Sequence, residues 1–145
     1  MPLIADLLAT PRGLPDASKY TVANGLLYVI SGVTFLTAPG AVQSIFADPS
    51  FAGHDEASVR VVGLLIVTIG WLVMFGGLSG QRRFVAATVV SRILFVPAVL
   101  VPLAMAGLFP HTLYTFAVLD PALAIGAWIY LSRDAKLPAV PGDIL

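Results

Sequence analysis

The sequence predicts an all-α fold, an integral membrane bundle of four transmembrane helices with short interfacial helices. Three observations lead to this prediction. Of the 145 residues, 58% are hydrophobic and 11% are charged, whereas soluble domains carry about 25% charged residues. Four apolar stretches reach the roughly 20 residues that a helix needs to cross a bilayer. Lys and Arg cluster at alternate ends of these stretches, as expected for a chain that crosses the membrane up and down.

The four predicted spans cover residues 21–38, 59–78, 84–108 and 112–131. Pro39-Gly40 ends the first span, and the fourth has Asp120-Pro121 in its middle. Together the spans take up more than half of the chain. We therefore expect one transmembrane domain over residues 1–145, with no soluble domain beside it.

The basic residues predict the orientation of the bundle. Those expected on one side are Arg12, Lys19, Arg82, Arg83, Arg133 and Lys136. The other side holds acidic residues and both histidines, with Arg60 at a span boundary. Because short cytoplasmic loops are rich in Lys and Arg, both termini are predicted to be cytoplasmic, in the inner membrane of a bacterium.

Two segments outside the spans are apolar but too short to cross. Residues 2–10 and 41–47 are predicted to lie on the membrane surface as short connecting helices. No basic residue precedes the first of them, so a cleavable signal peptide is not expected. Residues 137–145 contain two prolines and are predicted to be extended.

Three ionisable side chains fall within the predicted spans or at a span boundary: Arg60, Arg92 and Asp120. Such groups are costly in hydrocarbon and are candidates for function. Arg92 lies roughly 12 Å from the cytoplasmic end of span three, and Asp120 lies roughly 12 Å from the outer end of span four. Their depths therefore differ by about 6 Å in a core of about 30 Å. We therefore predict that Asp120 faces the interior, within hydrogen-bonding distance of Arg92 or Arg60.

Three roles are open for this charge centre. A buried ion pair can simply set the register of the helices, and its disruption would leave a lone buried charge. It can anchor a ligand, or it can relay protons or take part in catalysis. The structural role is favoured because no other catalytic group is found in the spans.

Polar and aromatic side chains share helix faces with these charges, by the spacing i, i+3, i+4 and i+7. The candidates for lining a cavity are Asn24, Tyr28, Ser31, Trp71, Thr88 and Ser91. Trp71 and Arg92 lie equally far from the short connection between spans two and three, which predicts a cation–π contact between them. The shared faces predict a cavity with a polar middle.

Glycines recur every seven residues on the first two spans, at Gly25 and Gly32 and at Gly63, Gly70 and Gly77. Small residues on one stripe allow close helix contacts in membranes, so these glycines are predicted to mark where helices pack. Pro121 cannot donate to the carbonyl of Ala117 and is expected to bend span four.

Several function classes are excluded or disfavoured. The chain has no cysteine and a formal net charge of zero, which leaves no disulfide, no thiolate chemistry and no electrostatic footprint for nucleic acid. His54 and His111 fall in loops, so no haem site is predicted in a span. No metal site or other cofactor is predicted.

Three motifs carry a resemblance to a known family. They are Ser58-Val59-Arg60-Val61-Val62-Gly63, Val90-Ser91-Arg92-Ile93-Leu94 and Val118-Leu119-Asp120-Pro121. Their order resembles that of the small four-helix DoxX-like membrane proteins, in the branch of unknown function, over residues 21–136. The resemblance implies a four-helix bundle and a shared importance of the three charged residues. Span four differs by having Asp-Pro in place of a plain Glu.

Two classes of function follow. The favoured class is a non-catalytic membrane protein, either an accessory subunit of a membrane complex or a binder of lipid or another hydrophobic small molecule. Its partners would be membrane lipids, other membrane subunits or further copies of the chain. The alternative is a small membrane enzyme or carrier that uses Arg92 and Asp120 on a lipophilic substrate such as a quinone, sterol or polyprenoid.

Overall fold

A computed structural model describes residues 13–135, which form five helices and no strand. The helices are α1 (Asp16–Thr37), α2 (Pro39–Phe46), α3 (Asp55–Leu78), α4 (Arg82–Met105) and α5 (Pro110–Asp134). The predicted surface helix at residues 2–10 and the predicted extended tail at residues 137–145 lie outside the described residues.

Four of these helices, α1, α3, α4 and α5, are long and apolar enough to cross a membrane. The prediction of an all-helical integral membrane protein with four spans is confirmed. The helices differ from the apolar stretches mainly at their ends. For example, α1 begins at Asp16 and α5 continues to Asp134, because a helix need not end where hydrocarbon ends. In contrast, α4 stops at Met105, before Gly107 with its φ of +86°.

A short helix was predicted after the first span, at residues 41–47, and α2 is present there. It begins at Pro39, since proline at the first helical position loses no hydrogen bond. It ends at Phe46, and the next residue, Ala47, caps it with a left-handed backbone at φ of 54°. Val42 is buried against the bundle and Ile45 is exposed, so α2 presents opposite faces to the protein and to its surroundings.

The helices pack mainly as two pairs, α1 with α3 and α4 with α5. The main contact between the two pairs is made by α1 and α5, whereas α3 and α4 touch only slightly although a short loop joins them. The bundle is therefore less tightly closed between α3 and α4 than elsewhere.

Glycines bring α1 and α3 close together. A Cβ atom added to Gly63 would lie 2.5 Å from the backbone nitrogen of Leu36, and one added to Gly25 would lie 2.5 Å from the backbone nitrogen of Met74. Gly70 meets the backbone of Val29 in the same way. The prediction that the glycine stripes mark close helix contacts is confirmed.

Two apolar clusters lie at the two ends of the bundle. One is built of Ala17, Val85, Val89, Ala127 and Leu131, and the other of Phe35, Val42 and Val59. On α5, Asp120 falls between Phe116, which packs on the second cluster, and Ala127 in the first. Asp120 is thus held between two apolar layers.

Four of the six basic residues that were predicted to share one side lie at one end of the bundle, whereas Arg12 and Lys136 lie outside the described residues. The start of α1 meets the end of α5, where the Ala17 amide donates to Asp134 Oδ2 at 3.0 Å and the rings of Tyr20 and Tyr130 lie 5.1 Å apart. The loop between α3 and α4 is at this same end, because Gly77 contacts Val22. Lys19, Arg82, Arg83 and Arg133 therefore share one end.

Candidate functional site

A buried ion pair joins α4 to α5. Arg92 Nε donates to Asp120 Oδ1 at 2.8 Å, and Arg92 Nη2 lies 2.8 Å from the same oxygen. Arg92 is 7% exposed and Asp120 is 6% exposed. The predicted contact between these two residues is present, and both face the interior of the bundle.

The ion pair does not use all of its hydrogen-bonding capacity. Both contacts fall on Oδ1, and within residues 13–135 no hydrogen bond reaches Oδ2. Arg92 Nη2 is close to Oδ1, but its N–H groups are not aligned for a hydrogen bond, and this buried nitrogen has no hydrogen-bond partner among the described residues. Buried polar groups without a partner are rare in folded proteins, so this one is a candidate for contact with a ligand.

The aromatic partner of Arg92 is Tyr28 on α1. The guanidinium carbon lies 5.1 Å from the centre of the Tyr28 ring, within the range of a cation–π interaction. The predicted partner, Trp71, was wrong: it is 48% exposed and packs against Phe75 with 4.5 Å between ring centres. The prediction assumed that α3 and α4 pack side by side, whereas α3 packs on α1 through its glycine face.

Arg60 does not belong to this charge centre, contrary to the prediction that it could reach Asp120. Arg60 donates to the carbonyl of Leu36 at 2.7 Å and pairs with Glu56 at 2.8 Å on an exposed surface. Its spacing of three turns from Trp71 places both residues on one face of α3, but that face points outward. Arg60 thus ties the start of α3 to the end of α1.

A cavity of about 470 Å³ lies beside the ion pair, between α1, α3, α4 and α5. Most of its lining is aliphatic or aromatic. Polar groups gather around Arg92, apart from Thr112 near the start of α5. The lining residues are Tyr28, Phe35, Val62, Ile66, Ile69, Val73, Thr88, Ser91, Arg92, Phe95, Val96, Val99, Leu100, Thr112, Leu113, Phe116 and Asp120.

The cavity contains only some of the predicted lining residues. Tyr28, Thr88 and Ser91 line it, whereas Asn24, Ser31 and Trp71 do not. Asn24 is buried on α1, one turn before Tyr28, and its Nδ2 has no hydrogen-bond partner in the described part of the chain. Ser31 is half-buried, and Trp71 points outward.

The cavity opens between α3 and α4. Val62 and Ile69 on α3 and Phe95 and Val99 on α4 all line it, yet each is exposed at the bundle surface. These four residues, called the mouth below, lie where α3 and α4 make little contact. In a bundle that spans a membrane, this opening faces the acyl chains of the lipid.

Two hydroxyl groups flank Arg92 on α4. Thr88 Oγ1 donates to the Val85 carbonyl at 2.8 Å, and Ser91 Oγ donates to the Thr88 carbonyl at 3.0 Å. Since each hydroxyl has a single proton, both oxygens keep their lone pairs for a further donor. The polar part of the cavity thus offers both a donor, on Arg92, and acceptors.

Sequence reasoning missed a buried carboxylate, Asp48, which places α5. Its side chain accepts hydrogen bonds from the backbone nitrogens of His111 at 2.9 Å and Thr112 at 3.1 Å, and from the Thr112 hydroxyl. The missing signal was at Phe109, which precedes α5 and has no side-chain oxygen to cap it. A cap from elsewhere in the chain was therefore needed, and Asp48 supplies it beside Thr112 of the cavity.

The arrangement is suited to holding a polar group of an otherwise apolar molecule. In residues 13–135 no group of three or more His, Cys, Asp or Glu side chains could hold a metal ion. Comparisons with protein-family models, curated proteins and solved structures give no match to this chain.

Proposed function

We propose that this integral membrane protein binds a lipid or another lipophilic small molecule in the cavity that opens between α3 and α4. The observation that carries the proposal is a cavity of about 470 Å³ with an apolar lining and one polar centre. Small-molecule sites commonly have volumes of roughly 300–1,000 Å³ and this same combination of apolar walls with a few polar groups. The polar group of the ligand would lie at Arg92 and Asp120.

Binding is proposed to be non-catalytic. Arg92 and Asp120 compensate each other's charge, and within the described residues the cavity lining adds no other charged group. The idea of an accessory subunit depended on the apolar ends, residues 2–10 and 137–145, which lie outside the described residues. The cavity therefore favours a binder of a small molecule over a subunit that docks through its ends.

The proposed location is the inner membrane of a bacterium, with both termini in the cytoplasm. The basic residues at one end of the bundle support this orientation, since Lys and Arg are retained on the cytoplasmic side. Membership of the DoxX-like family stays a proposal, supported by the four-helix architecture and by the motifs around Arg92 and Asp120. Arg60 would then serve a separate role at the end of α3.

The proposal is tested by native mass spectrometry of protein extracted gently from its own membrane. Val62→Trp adds a large ring at the mouth, and Val61→Trp is the matched control, since Val61 is exposed on α3 but does not line the cavity. We expect a bound small molecule on the wild type and on Val61→Trp, and its loss from Val62→Trp. Absence of any adduct from the wild type, or equal retention in both variants, would contradict binding in this cavity.

A second candidate is a membrane enzyme or carrier acting on the same lipophilic molecule. It is favoured by Asp120 Oδ2, which accepts no hydrogen bond within residues 13–135 and lies on a residue that lines the cavity. Such an oxygen could take a proton from a substrate. An Asp120→Asn variant that keeps the bound molecule but no longer converts it would favour the enzyme. Unchanged chemical identity of the molecule after incubation with the wild type would argue against it.

A further inference from the structure

The geometry points to an uncharged ligand that carries a hydrogen-bond acceptor, a carbonyl or a hydroxyl oxygen, which accepts from Arg92 Nη2. This inference deepens the proposed binding function and rests on it. It concerns the chemical class of the molecule, which three features of the cavity restrict.

The first feature is charge. Arg92 and Asp120 form a pair 2.8 Å apart, and the other residues lining the cavity are uncharged. An anionic head group would be buried beside Asp120 without a cation of its own, and a cationic group would be buried beside Arg92 without an anion. Burial of an unpaired charge is strongly unfavourable, so the balanced pair selects a neutral ligand.

The second feature is the hydrogen-bonding capacity of Arg92 Nη2, which contacts Asp120 Oδ1 at 2.8 Å without forming a hydrogen bond to it. Arg92 lines the cavity and is 7% exposed, yet its Nη2 has no hydrogen-bond partner among the described residues. A buried donor without an acceptor is costly. A ligand oxygen placed at Nη2 removes this cost, whereas a hydrocarbon in the same place leaves it. The site therefore distinguishes a ketone or an alcohol from an alkane.

The third feature is depth. The polar groups lie inside the bundle, between the two apolar clusters, whereas the mouth is formed by Val62, Ile69, Phe95 and Val99. A ligand must therefore place its polar group inward and leave its hydrocarbon tail toward the lipid. Phosphate head groups of ordinary phospholipids would have to leave the aqueous interface at great cost. A carbonyl or hydroxyl group loses far less hydration.

The class is tested with three probes of equal length: hexadecane, the corresponding methyl ketone and hexadecanoate. Each is titrated into the delipidated wild-type protein in detergent, and bound fractions are measured by native mass spectrometry. We expect the ketone to bind about tenfold more tightly than the alkane and more tightly than the carboxylate. The Val62→Trp variant should lose binding of the ketone, and Val61→Trp should keep it.

The outcomes separate this inference from the proposed function. Equal affinities for ketone and alkane, or the tightest binding for hexadecanoate, would overturn the neutral-acceptor class while leaving the cavity a binding site. No saturable binding of any probe would overturn the proposed function itself. These comparisons need only the wild type, so they hold even if a variant of the pair does not fold.

A double variant then identifies the donor. Arg92→Leu combined with Asp120→Leu removes both charges, which avoids the lone buried charge of a single substitution. We expect it to bind hexadecane and to lose its preference for the ketone. A preference that persists in the folded double variant would show that Arg92 is not the donor and would overturn the assignment.

Discussion

Among single residues, Arg92 and Asp120 combine a structural contact with an incomplete set of hydrogen bonds. Their contact joins α4 to α5, as an ion pair that only sets helix register would. A purely structural pair, however, is expected to satisfy its buried polar groups, and Arg92 Nη2 has no hydrogen-bond partner in the described residues. The pair is therefore expected to contribute both to stability and to the site.

The first prediction separates these two contributions. Asp120→Ala leaves Arg92 buried without its partner and should lower the free energy of unfolding by about 3–5 kcal/mol, by analogy with soluble proteins. The exchange of Arg92→Asp with Asp120→Arg restores a pair and should recover most of that stability. Thermal unfolding in detergent measures both. If the pair only joins the two helices, the exchanged protein should keep its bound molecule. If the pair contacts the ligand, the exchanged protein should lose it.

The second prediction concerns Asp48. Its carboxylate caps α5 through His111 and Thr112, and loss of a helix cap costs about 0.5–2 kcal/mol. Asp48→Asn replaces one of the two accepting oxygens with an NH2 group, which cannot accept a hydrogen bond, so a decrease of this size in the free energy of unfolding is expected. Glu56→Gln is the control, because it removes an equal charge from an exposed pair with Arg60. Equal effects of the two substitutions would show that the cap is unimportant.

For the helices, the sequence predicted the elements well and their neighbours poorly. Hydropathy and glycine spacing are local properties, so four spans and the contact stripes of α1 and α3 were predictable. The choice of neighbours is not local: a short loop suggested that α3 and α4 pack together, yet the glycine face of α3 packs on α1. Trp71 and Arg60 were misplaced for this reason. The contact of Arg92 with Asp120 was predicted correctly because a charged group inside a span needs an opposite charge, whatever the order of the helices.

The third prediction tests the packing of α1 on α3. Gly63→Ala places a methyl group 2.5 Å from the Leu36 backbone nitrogen, and overpacking of this kind costs about 1–3 kcal/mol. Gly40→Ala is the matched control, since nothing lies within 4 Å of a Cβ at that position in α2. Thermal unfolding in detergent should show a lower midpoint for Gly63→Ala and an unchanged or slightly higher one for Gly40→Ala. Similar midpoints for both variants would contradict close contact at Gly63.

In the whole molecule, the ends of the bundle differ in charge. Lys19, Arg82, Arg83 and Arg133 lie at one end, and Asp48 and His111 lie at the other. Together with the even number of spans, this difference accounts for the proposed orientation. The mouth of the cavity lies between the two ends, at the side of the bundle.

The fourth prediction is topological. Cytoplasmic loops retain Lys and Arg. A reporter enzyme that works only in the cytoplasm should therefore be active when fused after Leu145, and one that works only in the periplasm should be inactive there. A second fusion in the loop at Gly53, between α2 and α3, should give the opposite pattern. A periplasmic signal from the fusion after Leu145 would contradict the proposed orientation.

The central claim is that a lipophilic molecule occupies the cavity with its polar group at Arg92. The most direct measurement is an experimental structure of the protein extracted with its native lipids. We expect elongated density that enters between Val62 and Val99 and ends within hydrogen-bonding distance of Arg92 Nη2. A structure in which α3 and α4 close over an empty interior, with Arg92 and Asp120 satisfied by each other alone, would contradict the claim.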